Sequence, residues 1–218
     1  MTAATAFASP PQLSASVTVG SDYLFRGVSQ SEGNPVLQAS VGFDDESGWF
    51  GGLFATTVEF PDRRSRSDDR RAELDLYLGY GFDLGHGWSL VGSVVHYLYP
   101  GSGGDYVYTE YGAGIEYRRV RATFALADPA LGFGGQGRIW ELTTRQPLRH
   151  GFLVRAGVGR YELLRAERAY AYWNLGLGRA FGRLEADLGY YDADREGEAL
   201  WPGRAGGRWV GSLTYALR

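Results

Sequence analysis

The sequence has no cysteine, no lysine and a single methionine. Without cysteine there is no disulfide framework, no thiolate zinc site and no thiol nucleophile. Without lysine, all 22 basic residues are arginines. Charge of one sign is missing too: 25 acids against those arginines leave a net charge of −3, with no field that would draw in nucleic acid or an anionic membrane surface. Long hydrophobic runs are absent as well. Charged residues interrupt every window of about 18 positions, which excludes a transmembrane helix but not a membrane-crossing strand. Glycine and aromatics are plentiful: 33 of the 218 residues are glycine, roughly twice ordinary usage, and 15% are aromatic. A chain of this length fits one large all-β domain.

Residues 1–11 read as the remnant of a signal peptide or as a disordered tail. Ala6-Phe7-Ala8 has the small-x-small form of a signal-peptidase site, with Ser9 next. The charged and apolar segments that normally precede such a site are missing, so both readings stay open.

From residue 12 to residue 218 the dominant pattern is alternation with a period of two, the mark of strands with one apolar face. Leu13, Ala15, Val17, Val19, Tyr23 and Phe25 share one face, against Thr18, Gly20, Asp22 and Arg26 on the other. Leu37 to Phe43 continue the pattern, followed by an apolar set of Phe50, Phe54, Val58 and Phe60. Leu74, Leu76 and Leu78 oppose Glu73, Asp75 and Tyr77. Trp88 to Tyr99 is apolar on both faces and has no readable orientation. Seven further alternating segments follow, ending with Trp209, Leu213, Tyr215 and Leu217. The total is about twelve strands of roughly 9–12 residues, longer than the 5–6 usual in soluble proteins and matched to a tilted strand crossing a bilayer.

The connections alternate in length. DDESG, DLGHG, RRV, PLRHG and AFG are short, while GVSQSEGNP, PDRRSRSDDR, PGSGG, DPALGFGGQG, LLRAER and DADREGEALWPGRAGG are longer and more polar, with few exceptions to the alternation. A closed membrane barrel has this form, with tight periplasmic turns and longer extracellular loops. A barrel of about twelve strands is also too wide for its side chains to fill with an apolar lining. The expectation is therefore one closed antiparallel transmembrane barrel in the bacterial outer membrane, apolar face to lipid and polar face to a wet lumen. Aromatics near strand ends, such as Trp88, Trp140, Trp173 and Trp209, suit the two membrane girdles.

Two stretches carry a resemblance. Ser21-Asp22-Tyr23, Arg26-Gly27, Ser29-Gln30, Gly33, Pro35 and Ser47-Gly48-Trp49 resemble the opening of the proteobacterial Gcw_chp family, also called TorF-type porins. Asp75-Leu76-Tyr77, Gly79-Tyr80, Tyr97, Tyr99-Pro100-Gly101 and Glu110-Tyr111 resemble a second block of that family. The resemblance implies an exported outer-membrane barrel, porin-like, of unproven function. The chain ends Tyr215-Ala216-Leu217-Arg218, where outer-membrane strands often finish on phenylalanine.

The candidate lumen set is Asp22 and Arg26, Glu73 and Asp75, Glu110, Glu141 and Arg145, Arg155, and Arg183 with Glu185 and Asp187. Buried charges must be paired or hydrated. The set reads either as a charged pore that passes small polar solutes or as a salt-bridged interior that braces and occludes the barrel. A lipid-modifying enzyme is the third reading. It needs a nucleophile and a base in reach, and His96 is the sole histidine on a strand; His86 and His150 fall in turns. The chain is therefore expected not to be an enzyme. Asp62, Asp68 and Asp69, with Asp192, Asp194 and Glu196, are expected to be solvated loop acids rather than a calcium site. The Gly132–Gly137 run lacks a following helix and is no phosphate cradle. No cofactor, metal or nucleic acid is expected. Expected partners are outer-membrane lipid, small polar solutes and, during biogenesis, the barrel-assembly machinery.

Overall fold

A computed structural model describes residues 11–59, 70–100, 107–130 and 134–217. The elements run β1 Gln12–Gly20, β2 Leu24–Phe25, β3 Val28–Ser29, β4 Val36–Asp44, β5 Trp49–Glu59, β6 Arg70–Gly85 and β7 Trp88–Leu98. They continue with β8 Tyr108–Tyr117, β9 Val120–Asp128, β10 Gly137–Pro147, β11 Phe152–Leu163, β12 Arg168–Phe181, β13 Leu184–Ala193, helix α1 Arg195–Leu200 and β14 Arg208–Ala216. Twelve of these strands, all but β2 and β3, close into one antiparallel barrel, β1 pairing with both β4 and β14. Each barrel strand otherwise pairs with its chain neighbours, so every ladder is local and no sheet edge is left open to lipid.

The apolar face of most strands points outward. Leu13, Val41, Leu78, Leu90, Ile115, Leu142, Leu175, Leu188 and Leu213 are all exposed on the outer wall, Leu175 at 54%. In water such a surface would be untenable; against acyl chains it is what holds the barrel in place. Ring pairs flank it. Trp49–Tyr80 (5.1 Å) and Trp88–Tyr117 (4.5 Å) lie toward the short-turn end, and Phe124–Trp140 (4.3 Å) and Tyr190–Trp209 (5.3 Å) toward the long-loop end.

The short turns are built locally. In the first of them Asp45 Oδ1 accepts from the Ser47 amide (2.8 Å) and the Ser47 hydroxyl (2.5 Å), and the Gly48 amide donates to the Asp45 carbonyl (3.0 Å). Because β1 begins and β14 ends at the short-turn end, the two strands that close the cylinder meet there in register, Val17 opposite Tyr215.

Two sequence expectations about orientation are corrected. In β5, Phe50, Phe54 and Val58 face the interior, while Trp49 and Leu53 face lipid; Val58 is fully buried. Phe60 lies outside the described residues. The interior is apolar at this height, so β5 carries apolar residues on both faces. Second, β1 stops at Gly20, so Asp22, Tyr23, Phe25 and Arg26 do not continue its two faces. The unreadable segment is now oriented: Trp88 and Leu90 face outward, and Val91, Ser93, Val95 and Tyr97 line the interior.

Candidate functional site: the lumen and its inner hairpin

After Gly20 the chain turns into the barrel rather than out from it. Residues 21–35 carry the β2–β3 hairpin, and its side chains reach strands on the far wall. Asp22 ties the segment together. Its Oδ1 accepts from the Tyr23 amide and the Ser29 and Ser31 hydroxyls, each at 2.7 Å, and its Oδ2 lies 3.2 Å from Arg208 Nη1. The Tyr23 hydroxyl donates to Glu73 Oε1 on β6 (2.8 Å). Arg26 takes left-handed backbone angles (φ 52°) and points its guanidinium at Glu110 on β8, in a two-pronged pair at 2.6 and 2.8 Å. Both side chains are buried, at 7% and 6% exposure. The fork geometry matches a carboxylate, which is where arginine outdoes lysine. Arg26 Nε also lies 4.0 Å from Glu141 Oε1, and its guanidinium sits over the Phe25 and Tyr161 rings.

The hairpin is anchored by backbone as well. The Ser29 amide donates to the Arg204 carbonyl (2.8 Å), and Val28 bridges Ala205. On the other side, the Glu59 amide donates to the Gln30 carbonyl (2.8 Å). Around these contacts lies an interior apolar core that includes Val28, Val58, Tyr97, Tyr108, Ile139, Tyr161, Tyr170 and Tyr172. The long-loop half of the lumen is thus largely filled by the protein itself.

The short-turn half is more open. A cavity of about 370 Å³ lies beneath Phe25 and Arg26, reaching Ser93, Glu110, Arg121, Thr123 and Glu141. A second, of about 430 Å³, is lined by Glu116, Arg119, Arg121, Thr143, Arg145, Arg155 and Asn174. The structure places the sequence candidates on several levels. Glu73 and Asp75 are buried beside the hairpin at 2% and 7% exposure, while Glu141 accepts from the Tyr172 hydroxyl (2.8 Å). Arg155 pairs with both Glu185 and Asp187, and Glu185 also holds Arg145 at 3.2 Å. Those pairs reach across β12 because residue 178 is glycine. A Cβ there would come within 2.9 Å of Asp187 Oδ2 and 3.2 Å of Arg155 Nη1.

Three candidates sit elsewhere than expected: Arg26, in the turn between β2 and β3, and the two that follow. Asp22 belongs to the inner segment and not to a wall strand. Arg183 lies in the turn before β13, exposed, with Nη1 3.4 Å from the Leu217 carbonyl, apart from Glu185 and Asp187. Parity carried past the end of β1 misplaces Asp22 and Arg26, and parity carried back before the start of β13 misplaces Arg183. Sequence reasoning missed Arg119 and Arg121 as members of the lumen charge set, and it missed the interior tyrosines. The signal for Arg121 was present: it shares the parity of Thr123 between the outward Val120 and Ala122.

The remaining motifs resolve plainly. His96 Nδ1 lies 2.8 Å from Thr109 Oγ1, whereas Ser93 lines the interior cavity. Asp194 caps α1, accepting from the Gly197 amide (3.0 Å), and Glu196 pairs with Arg168 (2.6 Å). Among the described residues no cluster of three or more potential ligands could hold a metal ion. Asp62, Asp68, Asp69, Gly132 and Phe133 lie outside the described residues, as do residues 1–10 with the Ala6-Phe7-Ala8 motif.

An apolar, aromatic-girdled outer wall around a polar interior, closed by twelve antiparallel strands, defines a porin-like β-barrel of the bacterial outer membrane. The family model described as "Bacterial protein of unknown function (Gcw_chp)" matches residues 3–215, and the chain belongs to that family. No curated protein matches the sequence. Among solved structures, the fold is similar to the NanC porin, with a TM-score of 0.63 at 10% identity, covering 94% of this chain and 99% of that one. It is also similar to the KdgM porin, with a TM-score of 0.57 at 6% identity, covering 95% and 100%. A structure of KdgM in complex with disordered oligogalacturonate gives a TM-score of 0.55 at the same identity and coverage.

Proposed function

We propose that this barrel passes small polar solutes across the outer membrane, through a lumen narrowed by the inner hairpin. The observation that carries this reading is the pair of cavities, about 430 and 370 Å³, that bring charged side chains into the lumen, the second ending beneath the Arg26–Glu110 pair. Likeness to porins, one of them in complex with disordered oligogalacturonate, supports the same class of activity. Passage past a buried ion pair and packed tyrosines restricts the traffic to small solutes and a small conductance. The reading is non-catalytic, and the outward placement of His96 against Thr109 supports that.

A second reading has its own observation. The tyrosine core around Val28 favours a sealed barrel with a structural or interaction role. Planar-bilayer recording separates the two. The porin reading expects discrete small steps from the wild type and larger steps once residues 24–29 are replaced by a short glycine linker. A silent wild type with a conducting hairpin variant would favour the sealed barrel. Silence from both would end the porin reading.

A further inference from the structure

The short-turn cavity has a charge pattern that bracing alone does not explain. Four guanidiniums, from Arg119, Arg121, Arg145 and Arg155, meet three carboxylates, Glu116, Glu185 and Asp187. The carboxylates are unevenly spent. Arg155 holds two of them, and Arg121 takes Glu116 at 2.6 Å. Arg145 has one contact, shared and at 3.2 Å, and its side chain is 63% exposed. Arg119 forms no ion pair or hydrogen bond among the described residues. Arg145 and Arg155 also face each other directly across the β10–β11 ladder. Like charges in that position are destabilising, and Glu185 only partly bridges them.

A guanidinium has five donors in a planar fork that matches a carboxylate. Arg119 therefore brings an unused fork to the cavity and Arg145 a fork engaged at one nitrogen only, with Arg121 beside them at 47% exposure. Thr143 and Asn174 line the same space and offer neutral hydrogen-bonding groups. We propose that this cavity is a binding site for a small organic acid, its carboxylates held by Arg119 and Arg145 and its uncharged part by Thr143 and Asn174. The proposal deepens the passage reading, on which it rests for its role: the site would be the stop at the short-turn mouth, and it would make the route prefer anions.

The test is calorimetric titration of the intact barrel in detergent with citrate, at constant ionic strength set by chloride, with glucose as the uncharged control. Saturable binding of one citrate per barrel is expected, and none of glucose. The Arg119→Ala, Arg145→Ala double variant should bind citrate at least roughly tenfold more weakly while keeping the folded barrel's gel mobility. Arg119 lies in an exposed turn, so the single Arg119→Ala variant provides a second measurement with little risk to folding. Absence of saturable citrate binding, equal affinity in the double variant, or binding of inorganic phosphate in place of citrate would overturn the assignment. Bilayer recording keeps the two readings apart. A conducting barrel that ignores citrate refutes the site and leaves passage standing, and a silent barrel that binds citrate refutes passage and leaves the site.

Discussion

Replacing Glu110 by glutamine tests whether the inner hairpin is held by its ion pair. The substitution keeps the shape of the side chain and removes its charge. Arg26 then remains buried, with its nearest remaining carboxylate Glu141, 4.0 Å from Nε. Breaking a buried pair from one side costs about 3–5 kcal/mol. The hairpin's backbone anchors to the Arg204 carbonyl and from the Glu59 amide contribute about 1 kcal/mol each. The loss therefore exceeds what those two backbone anchors contribute together. At about 1.4 kcal/mol per factor of ten, the open population of the hairpin should rise by at least roughly a hundredfold. Hydrogen–deuterium exchange of a peptide covering Leu24–Ser31, in detergent, reads this directly, because the Ser29 amide donates to the Arg204 carbonyl and is protected only while the segment is docked. Amides of β11 and β12 should not change, since their ladder does not involve the pair. The combined Arg26→Met, Glu110→Leu variant should restore most of the protection, because two apolar groups of similar size leave no stranded charge. Less than a tenfold rise in Glu110→Gln, or an equal rise in β12, would refute the reasoning.

Three further outcomes follow from single positions. Gly52→Ala places a Cβ 2.2 Å from the Val41 carbonyl oxygen and 2.8 Å from Gly42 Cα, so the β4–β5 ladder must shift, costing about 1–3 kcal/mol; Gly92→Ala meets open space and should be silent. The heat-modifiable gel shift reports the folded fraction of both, and equal behaviour would count against this close approach. Leu175→Arg sets a charge on the lipid-facing wall and should cost about 2–4 kcal/mol in urea unfolding from liposomes, whereas Asn174→Arg next to it, facing the lumen, should cost much less. Reversal of that order would mean the faces are assigned wrongly. In the first short turn, the Ser47 hydroxyl, followed by the Ser47 and Trp49 amides, holds the Asp45 carboxyl below the usual carboxylate range. Its folded value lies below its unfolded one, so the turn's contribution is complete above the ordinary carboxylate range and fades as pH falls through the depressed value. Ser47→Ala should raise the Asp45 titration midpoint, followed by carbon NMR of the carboxyl; an unchanged midpoint would assign the shift to the backbone alone.

The parts of this molecule that sequence reveals are those where the two faces of a strand meet different solvents. Leu74, Leu76 and Leu78 meet acyl chains while Glu73, Asp75 and Tyr77 turn inward, and the period of two follows. Strand number, the outward face of most strands and the order of short and long connections all rest on that contrast. It fails at β5, where Phe50, Phe54 and Val58 face the hairpin and the interior is apolar too. It fails again after Gly20, because the inner segment obeys no period at all. Its residues are buried by an encounter with strands dozens of positions away, such as Arg26 with Glu110, and no local pattern encodes a partner at that distance. Asp22 was legible as an interior charge, but its bonds are to Ser29, Ser31 and Arg208, not to solute-facing neighbours on a wall. Alternation therefore reports contrast between two environments rather than direction. Where an alternating strand loses its contrast without losing its length, as β5 does, the lumen at that height is occupied by protein. The same reading of other barrels would locate internal plugs from the strands that surround them, before the plug itself can be recognised.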